Sequence, residues 1–379
     1  MPDCTYAHDV ALLRNCAEVV ELAGPAGARA AVVPAFQGRV MTSTTADDHG
    51  RSFGWLNEPF LASRRHDDPV FNNYGGEDRF WLGPEAGPFG LWFEADAPMD
   101  LAHVRTPAGF GAGAWPVKSQ GPHAVTLTRQ FHVTNRAGTR FDCAVERTID
   151  LLSRDSAASH LGVGLPGELE MAAFQSANTL TNAGRGRWNS RGGLPSIWIL
   201  GMFKAAPDAW AILPYVGGDE RTLGPRACID YFGAVPPERA QFMDDHLLFK
   251  VDGRYRSKVG ISPARATNIL GSFDPSAEAL TLVQYNLPAG AAKLPYVNSM
   301  WQEVQEDPFA GDAVNSYNDT GSRDGQATFY ELETSSPAAA LKAEESITHI
   351  HRTYHFTGRR EALKELARKV LGVDLDKLG

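Results

Sequence analysis

Short apolar runs separated by glycine and proline are the feature that most restricts the fold of this chain. Its 379 residues include 37 glycines and 24 prolines, which interrupt the hydrophobic segments throughout. Such runs indicate strands, and the lack of alternating helical segments argues against a doubly wound parallel sheet, so we predict an all-β sandwich. Eight segments are clear strand candidates: Glu18–Leu22, Ala28–Pro34, His123–Val133, Arg140–Leu152, Ser196–Met202, Trp210–Pro214, Ala279–Tyr285 and Ala327–Thr334.

Helical patterns occur only near the two ends of the sequence. We predict short helices over residues 5–15 and 359–372; in the second, apolar residues such as Ala362 and Leu366 recur at helical spacing. That helix is expected to pack over a sheet edge. The first two strand candidates are joined by a Gly-Pro-Ala-Gly turn and form a predicted hairpin. Because no long linker or repeat divides the chain, we expect one domain over residues 1–379.

Charge and motif content exclude several classes of protein. The formal net charge of −9 argues against nucleic-acid binding, which needs a basic face. No apolar stretch reaches the length of a membrane span, and the N-terminal residues do not resemble a secretory signal. The cysteines, Cys4, Cys16, Cys143 and Cys228, form no CxxC pair and are expected to be reduced. We therefore expect a cytoplasmic protein, or a periplasmic one if a signal has been removed, that requires no cofactor.

Two glutamates lie two residues apart in the predicted strand near the C-terminus. Residues two apart in a strand share a face, so Glu331 and Glu333 lie together while Tyr330 and Leu332 face the core. Neighbouring carboxylates repel each other, and burial would raise the pKa of at least one, which suits acid–base catalysis. The alternative is a solvated edge strand.

Histidine and basic residues form two further stripes of equal parity. His349, His351 and His355 can line a polar cleft, and we expect no metal there because no acidic or cysteine ligand accompanies them. Arg254, Arg256 and Lys258, in "DGRYRSKVGIS", would share one face of a strand and can hold a carboxylate or phosphate. A solvated face balanced by nearby aspartates is the alternative for this basic stripe.

Aromatic residues are concentrated beside polar turns, which is typical of a carbohydrate cleft. A sugar stacks its C–H face on an aromatic ring, and its hydroxyl groups take directional hydrogen bonds. The candidate substrate-binding residues in these turns are Arg79, Trp81, Asn178, Asn182, Trp188, Tyr317 and Asn318.

The segment "FYELETSSPAAALKAEESITHIHRTYHF" resembles the C-terminal strand pair of the aldose 1-epimerases, or galactose mutarotases. "NYGGEDRFWLGPEAGPFGLWF" is similar to a wider group of bacterial proteins of galactose mutarotase-like fold that have no assigned function. The resemblance implies a galactose mutarotase-like β-supersandwich whose concave sheet carries a sugar cleft. It also implies that Glu333, in the Leu-Glu pair, is the general base that removes the anomeric hydroxyl proton.

The resemblance fails at the general acid. The epimerases carry a Thr-Asn-His sequence, whereas here Thr181 and Asn182 are followed by Ala183. Ring opening needs an acid as well as a base, so His351 and Lys258 are the candidate donors. The leading hypothesis is a sugar-modifying enzyme related to aldose 1-epimerases, with Glu333 as base assisted by Glu331.

Two alternatives remain open at this stage. One is a non-catalytic carbohydrate-binding protein, which the missing histidine favours. The other is a lyase or glycoside hydrolase that acts on an acidic sugar, for example with Glu333 and Asp319 as its carboxylate pair. In every case the expected ligand is a mono- or oligosaccharide, including acidic ones. His349, Arg256 and Lys258 are further candidates for contacting it.

Overall fold

The computed structural model describes residues 5–63, 73–111, 113–320 and 328–378, and antiparallel sheets dominate it. The strands in this described part are β1 (Val20–Ala23), β2 (Arg29–Val33), β3 (Arg39–Thr44), β4 (Arg79–Gly83), β5 (Val117–Gln120), β6 (Ala124–Thr134), β7 (Arg140–Leu151), β8 (Glu170–Asn182), β9 (Ser196–Lys204), β10 (Trp210–Pro214), β11 (Ala240–Phe242), β12 (His246–Lys250), β13 (Ser257–Ile261), β14 (Ile269–Asp274), β15 (Ala279–Tyr285), β16 (Val314–Asn318), β17 (Phe329–Ser335) and β18 (Ser346–Thr357). The α-helices are α1 (Tyr6–Arg14), α2 (Glu58–Ser63), α3 (Ala108–Gly111), α4 (Arg154–Leu161), α5 (Glu220–Leu223) and α6 (Arg360–Leu371).

The strands form three sheets. A ten-stranded sheet has the order β11-β12-β10-β14-β15-β18-β8-β7-β6-β5, and a five-stranded sheet has the order β13-β16-β17-β9-β4. The small third sheet, β1-β2-β3, contains the predicted hairpin, in which Val20 pairs with Val32. The predicted all-β class is confirmed, and so are the two terminal helices and the predicted strands, to within a few residues at each end. Residue 327, where the last predicted strand begins, lies outside the described residues, as does Cys4.

Side-chain alternation builds the core between the two large sheets. On β17 of the five-stranded sheet, Tyr330 and Leu332 turn toward the ten-stranded sheet, where Val283 belongs to the same buried cluster. The Tyr330 hydroxyl also lies 2.7 Å from the hydroxyl of Ser272 on β14. The intervening residues of β17 therefore face the other side of the five-stranded sheet, away from this core.

Helix α6 covers the opposite face of the ten-stranded sheet. Its apolar side chains Leu363 and Leu366 are buried against β14 and β15, in a cluster that includes Leu280 and Phe273. The predicted helix is therefore present, but its expected position over a sheet edge is wrong, because β14 and β15 are interior strands. An exposed apolar face on these central strands has to be covered, and the amphipathic helix does so.

The space between the large sheets also contains charged groups. Arg147 on β7 forms a fully buried ion pair with Asp78, and its Nε donates to the carbonyl oxygen of Gly38 at 3.0 Å. His355 Nε2 on β18 lies 2.8 Å from the carboxylate of Glu77. Because a buried charge without a partner is costly, these pairs tie the two layers together in one arrangement.

The described cysteines, Cys16, Cys143 and Cys228, carry free thiols. Within the described ranges, no helix combines the length and the apolar character that a membrane crossing requires.

Candidate functional site

A cleft of about 530 Å³ lies over the face of the five-stranded sheet that points away from the core. Its floor follows from strand alternation: Arg79 and Trp81 come from β4, and Phe329 and Glu331 from β17. Lys258 on β13 completes the floor at the far edge of the sheet. The face predicted for the two glutamates is thus the face that carries the cleft.

Aromatic side chains form the walls of this cleft. Trp55, Trp81, Trp198, Trp301 and Phe329 all line it. The rings of Trp81 and Trp198 meet edge to face, with centroids 5.7 Å apart, and the rings of Trp55 and Phe329 lie 4.6 Å apart. Mutual packing therefore holds each ring in a fixed orientation, as stacking on a sugar requires. Trp198 was not identified from the sequence, because its neighbours in the strand are apolar and it therefore resembles an ordinary core residue.

Arg79 and Glu331 are buried hydrogen-bond partners on the cleft floor. The Arg79 guanidinium donates to the Glu331 carboxylate and lies 4.8 Å from the centre of the Trp81 ring. Burial raises the pKa of Glu331 to about 8; the Glu333 carboxylate adds to this rise, and Arg79 opposes it. Glu331 therefore carries a transferable proton in the neutral pH range.

Glu333 is fully buried beside Lys258. One of its carboxylate oxygens accepts a hydrogen bond from the Lys258 ammonium at 2.8 Å and another from Trp198 Nε1 at 2.9 Å. Its other oxygen, Oε1, has no hydrogen-bond partner among the described residues. Burial alone would lower the pKa of Lys258, but the carboxylates of Glu333 and Glu85 outweigh burial and raise it. Lys258 therefore stays charged and balances Glu333.

A second hydrogen-bonded chain lies beside Lys258 and was not predicted. Tyr231 donates its hydroxyl proton to Asp312 at 2.7 Å and accepts a hydrogen bond from Asn315 at 3.0 Å. The Lys258 ammonium lies 5.5 Å from the centre of the Tyr231 ring. Burial raises the pKa of Asp312 to about 6. A buried carboxyl group whose pKa is raised therefore lies within electrostatic reach of Lys258.

Arg256 lies at the mouth of the cleft among aromatic rings. Its guanidinium carbon is 3.6 Å from the centre of the Phe232 ring and 5.2 Å from that of Trp301. Its Nε donates to the Tyr317 hydroxyl at 3.3 Å, and that hydroxyl in turn donates to Asp319. The basic stripe predicted from the sequence therefore splits: Lys258 is buried in an ion pair, Arg256 borders the opening, and Arg254 is exposed.

Three of the predicted site residues lie between the large sheets instead of in the cleft. His349 and His351 both bond to the hydroxyl of Thr334, at 2.7 and 2.9 Å, and burial lowers their pKa values to about 3 and 4. Asn178 accepts a hydrogen bond from Arg147 in the same layer. His351 does not line the cleft, so the structure does not bring this candidate acid to Glu333.

Three others support loops away from the cleft. Asn182 donates to the carbonyl oxygen of Leu341 at 3.0 Å, and Trp188 is buried edge-on against Phe141; both border a separate hollow of about 150 Å³. Asn318 closes the loop before β13 by accepting a hydrogen bond from the Gly253 amide at 2.8 Å. Of the remaining predicted residues, Glu333 bonds to two lining residues, and the following line the cleft themselves: Arg79, Trp81, Arg256, Lys258, Tyr317 and Glu331.

One group of potential metal ligands occurs elsewhere in the described part of the chain. His8, Asp9 and Glu58 bring ligand atoms within 4.8 Å of one another, but none of them lines the cleft. Asp9 is already engaged by the hydroxyl of Ser52 and the ammonium of Lys204.

The fold is galactose mutarotase-like. The structure is similar to that of the Slr1438 protein from Synechocystis sp. PCC 6803, with a TM-score of 0.53 and 13% sequence identity over 90% of this chain and 96% of that one. It is also similar to a galactose mutarotase-like protein from Lactobacillus casei ATCC 334, with a TM-score of 0.50 and 10% identity over 89% of this chain and 100% of that one. No functionally curated protein matches the sequence.

The sequence itself gives a more specific relationship. A family model described as "Family of unknown function (DUF6786)" matches residues 4–379. The residues that line the cleft, from Trp55 to Glu331, all lie within the matched range, as does Glu333. This chain is therefore a member of the DUF6786 family.

Proposed function

We propose that this protein binds a carbohydrate in the cleft over its five-stranded sheet and modifies it by acid–base chemistry at the anomeric centre. The observation that carries the proposal is the pair of glutamates on one face of β17, each placed in a different electrostatic environment beneath tryptophan walls. A carboxyl group with a raised pKa beside a second one that is hydrogen-bonded to a cation is a pattern that suits an acid and a base.

The base in this proposal is Glu333. Lys258 and Trp198 donate hydrogen bonds to one of its oxygens and hold the carboxyl group in a fixed position. The other oxygen, Oε1, is buried without a hydrogen-bond partner in the described structure, so it has the capacity to accept the proton of an anomeric hydroxyl group that reaches it. The resemblance to the aldose 1-epimerases, which places the family's base at Glu333, points the same way.

The acid in this proposal is Glu331. Its raised pKa keeps a proton available near neutral pH, and Arg79 stabilises the carboxylate that remains after the proton has left. Residues two apart on a strand are separated by roughly 7 Å, so the two carboxyl groups can approach the anomeric oxygen and the ring oxygen of one sugar. Lys258 suits the acid role less well, because its neighbours raise its pKa and make it hold its proton more tightly.

In the proposed reaction the sugar gives one proton to the protein and receives one proton from it. Glu333 removes the proton from the anomeric hydroxyl, Glu331 protonates the ring oxygen, and the bond between the anomeric carbon and the ring oxygen breaks to give the open-chain aldehyde. Rotation about the neighbouring carbon–carbon bond and closure by the reverse proton transfers give the other anomer. The tryptophan walls hold the ring and exclude water.

A carbohydrate-binding protein without catalysis is the second candidate. The full burial of Glu333 favours it, because a base has to reach its substrate and this carboxylate already has a cationic partner. In that case the pair of glutamates serves recognition and the structure of the cleft floor.

Saturation-exchange NMR on a panel of aldoses separates these candidates. We expect accelerated anomer exchange with the intact protein and a reduction of about 10²- to 10⁴-fold in Glu333→Gln and in Glu331→Gln. Glu238→Gln is the matched control, since Glu238 is exposed and does not line the cleft. Binding measured by calorimetry without any acceleration would support the binding protein. The absence of both binding and exchange across the panel would refute the carbohydrate proposal.

A further inference from the structure

Arg256 differs from the other cations that line the cleft. Arg79 and Lys258 each donate a hydrogen bond to a glutamate. Among the described residues no carboxylate lies at ion-pair distance from Arg256, although Glu85 and Asp319 line the same cleft. Burial raises the pKa of Glu85, and Arg256 is close enough to oppose this larger effect. A guanidinium group has five N–H donors. Only the one on Nε has a partner, the Tyr317 hydroxyl, among the described residues.

The aromatic neighbours fix the orientation of this guanidinium. The central carbon of the guanidinium lies 3.6 Å from the centre of the Phe232 ring, 5.2 Å from that of Trp301 and 6.0 Å from that of Tyr317. A guanidinium stacked in this way cannot rotate freely, so the donors on its terminal nitrogens keep a defined direction without a salt bridge. Such a fork matches the paired oxygens of a carboxylate or a phosphate.

Arg256 also stands where two hollows meet. Beside the main cleft lies an open hollow of about 570 Å³, lined in part by Met99 and Tyr231. Arg256, Phe232 and Trp301 belong to both hollows and form the wall between them. A sugar ring in the main cleft would therefore present a substituent to Arg256, with room beyond it for a further group.

We infer that the ligand of this site is an anionic carbohydrate whose carboxylate or phosphate group binds Arg256 at the junction of the two hollows. This inference rests on the proposed carbohydrate site and adds the charge of its ligand. Arg256 selects the ligand, while Glu331 on β17 lines the part of the cleft that receives its ring. The terminal nitrogens supply two parallel hydrogen bonds to the anion, and the rings on either side reduce its contact with water, which strengthens the attraction.

Matched pairs of sugars test this inference. Titration calorimetry compares glucose with glucuronate, galactose with galacturonate, and glucose with glucose 6-phosphate, so that one arm reports a carboxylate and another a phosphate. We expect at least one anionic member to bind about tenfold more tightly than its neutral counterpart, which corresponds to about 1.4 kcal/mol. The ratio should shrink as ionic strength increases, because salt screens a half-buried charge.

Variants then assign the preference to a residue. Arg256→Gln should reduce the anionic-to-neutral affinity ratio to less than about twofold while leaving the neutral sugar bound, and Arg256→Lys should retain part of the ratio because it keeps the charge but loses the fork. Arg254→Gln removes the same charge from an exposed position two residues away and should leave the ratio unchanged. The urea unfolding midpoint of each variant shows that the fold is retained.

The outcomes separate this inference from the proposed function. If neutral sugars bind and no anionic counterpart binds better, or if the preference survives Arg256→Gln, the anionic ligand is refuted while the carbohydrate site stands. If no sugar of either kind binds, both fall together.

Discussion

The buried pair of Lys258 and Glu333 gives the most direct test of the electrostatic reasoning. The Lys258 side chain is 6% exposed and the Glu333 side chain 0%. Lys258→Met keeps most of the apolar volume of the lysine stem but removes the ammonium group. It leaves a buried carboxylate with Trp198 as its remaining donor to the same oxygen.

The expected cost follows from this burial. Removing one partner of a buried ion pair costs about 3–5 kcal/mol, because the remaining charge stays in a medium that solvates it poorly. Protonation of the carboxyl group removes that charge, so the deficit of Lys258→Met should shrink as the pH is lowered. The double variant Lys258→Met with Glu333→Gln should be more stable than Lys258→Met alone, since no unpaired charge then remains.

Urea unfolding measures these differences through the midpoint and slope of the transition. Lys118→Met is the control, because the Lys118 side chain is 59% exposed and that of its partner Glu146 is 47% exposed. The loss of such a surface pair changes the free energy of unfolding by about 1 kcal/mol or less. A Lys258→Met protein within about 1 kcal/mol of the original, or a double variant as unstable as the single one, would contradict the reasoning.

Three further predictions concern stability. Burial raises the pKa of Asp312 to about 6, so the stability that this carboxyl group contributes is complete below about pH 4 and is lost as the pH rises through 6. Between pH 4 and pH 7, the free energy of unfolding of Asp312→Asn should therefore increase by about 1–3 kcal/mol relative to that of the original protein. Burial lowers the pKa values of His349 and His351 to about 3 and 4, so the folded protein loses stability as the pH falls below about 6.5. The His351→Gln variant should therefore lose less stability than the original protein between about pH 7 and pH 4, as measured by urea unfolding. Gly260→Ala would place a methyl group 1.9 Å from Asp312 Oδ2 and should lower the free energy of unfolding by about 1–3 kcal/mol in the same assay. In the control variant Gly164→Ala, the added methyl group meets no atom within 4 Å. Equal unfolding midpoints for the two glycine variants would count against the packing argument.

The acidic stripe was predictable from sequence because strand alternation is local. Once Tyr330 and Leu332 are assigned to the core, the glutamates of the same strand have to lie on the opposite face, and they do. Local spacing likewise predicts α6, whose Leu363 and Leu366 are buried as their periodicity requires.

The partners of these groups were not predictable, because long-range strand pairing brings them together. Lys258 and Glu333 are 75 residues apart, and they meet only because β16 lies between their strands in the sheet. The histidines of β18 show the opposite error. Their shared parity is correct, but parity does not reveal which of the two faces of a strand borders the cleft, and Thr334 holds His349 and His351 in the interior.

Because the two faces of β17 carry different side chains, a register shift of this strand would be energetically costly. A shift by one residue against β9 and β16 would exchange the faces. It would move Glu331 and Glu333 to the side of the apolar cluster that contains Leu332, away from Arg79 and Lys258, and would turn Leu332 toward the cleft. The residues that define the cleft thus also discriminate against misregistered forms during folding, so substitutions among them are expected to reduce the yield of native protein as well as ligand binding.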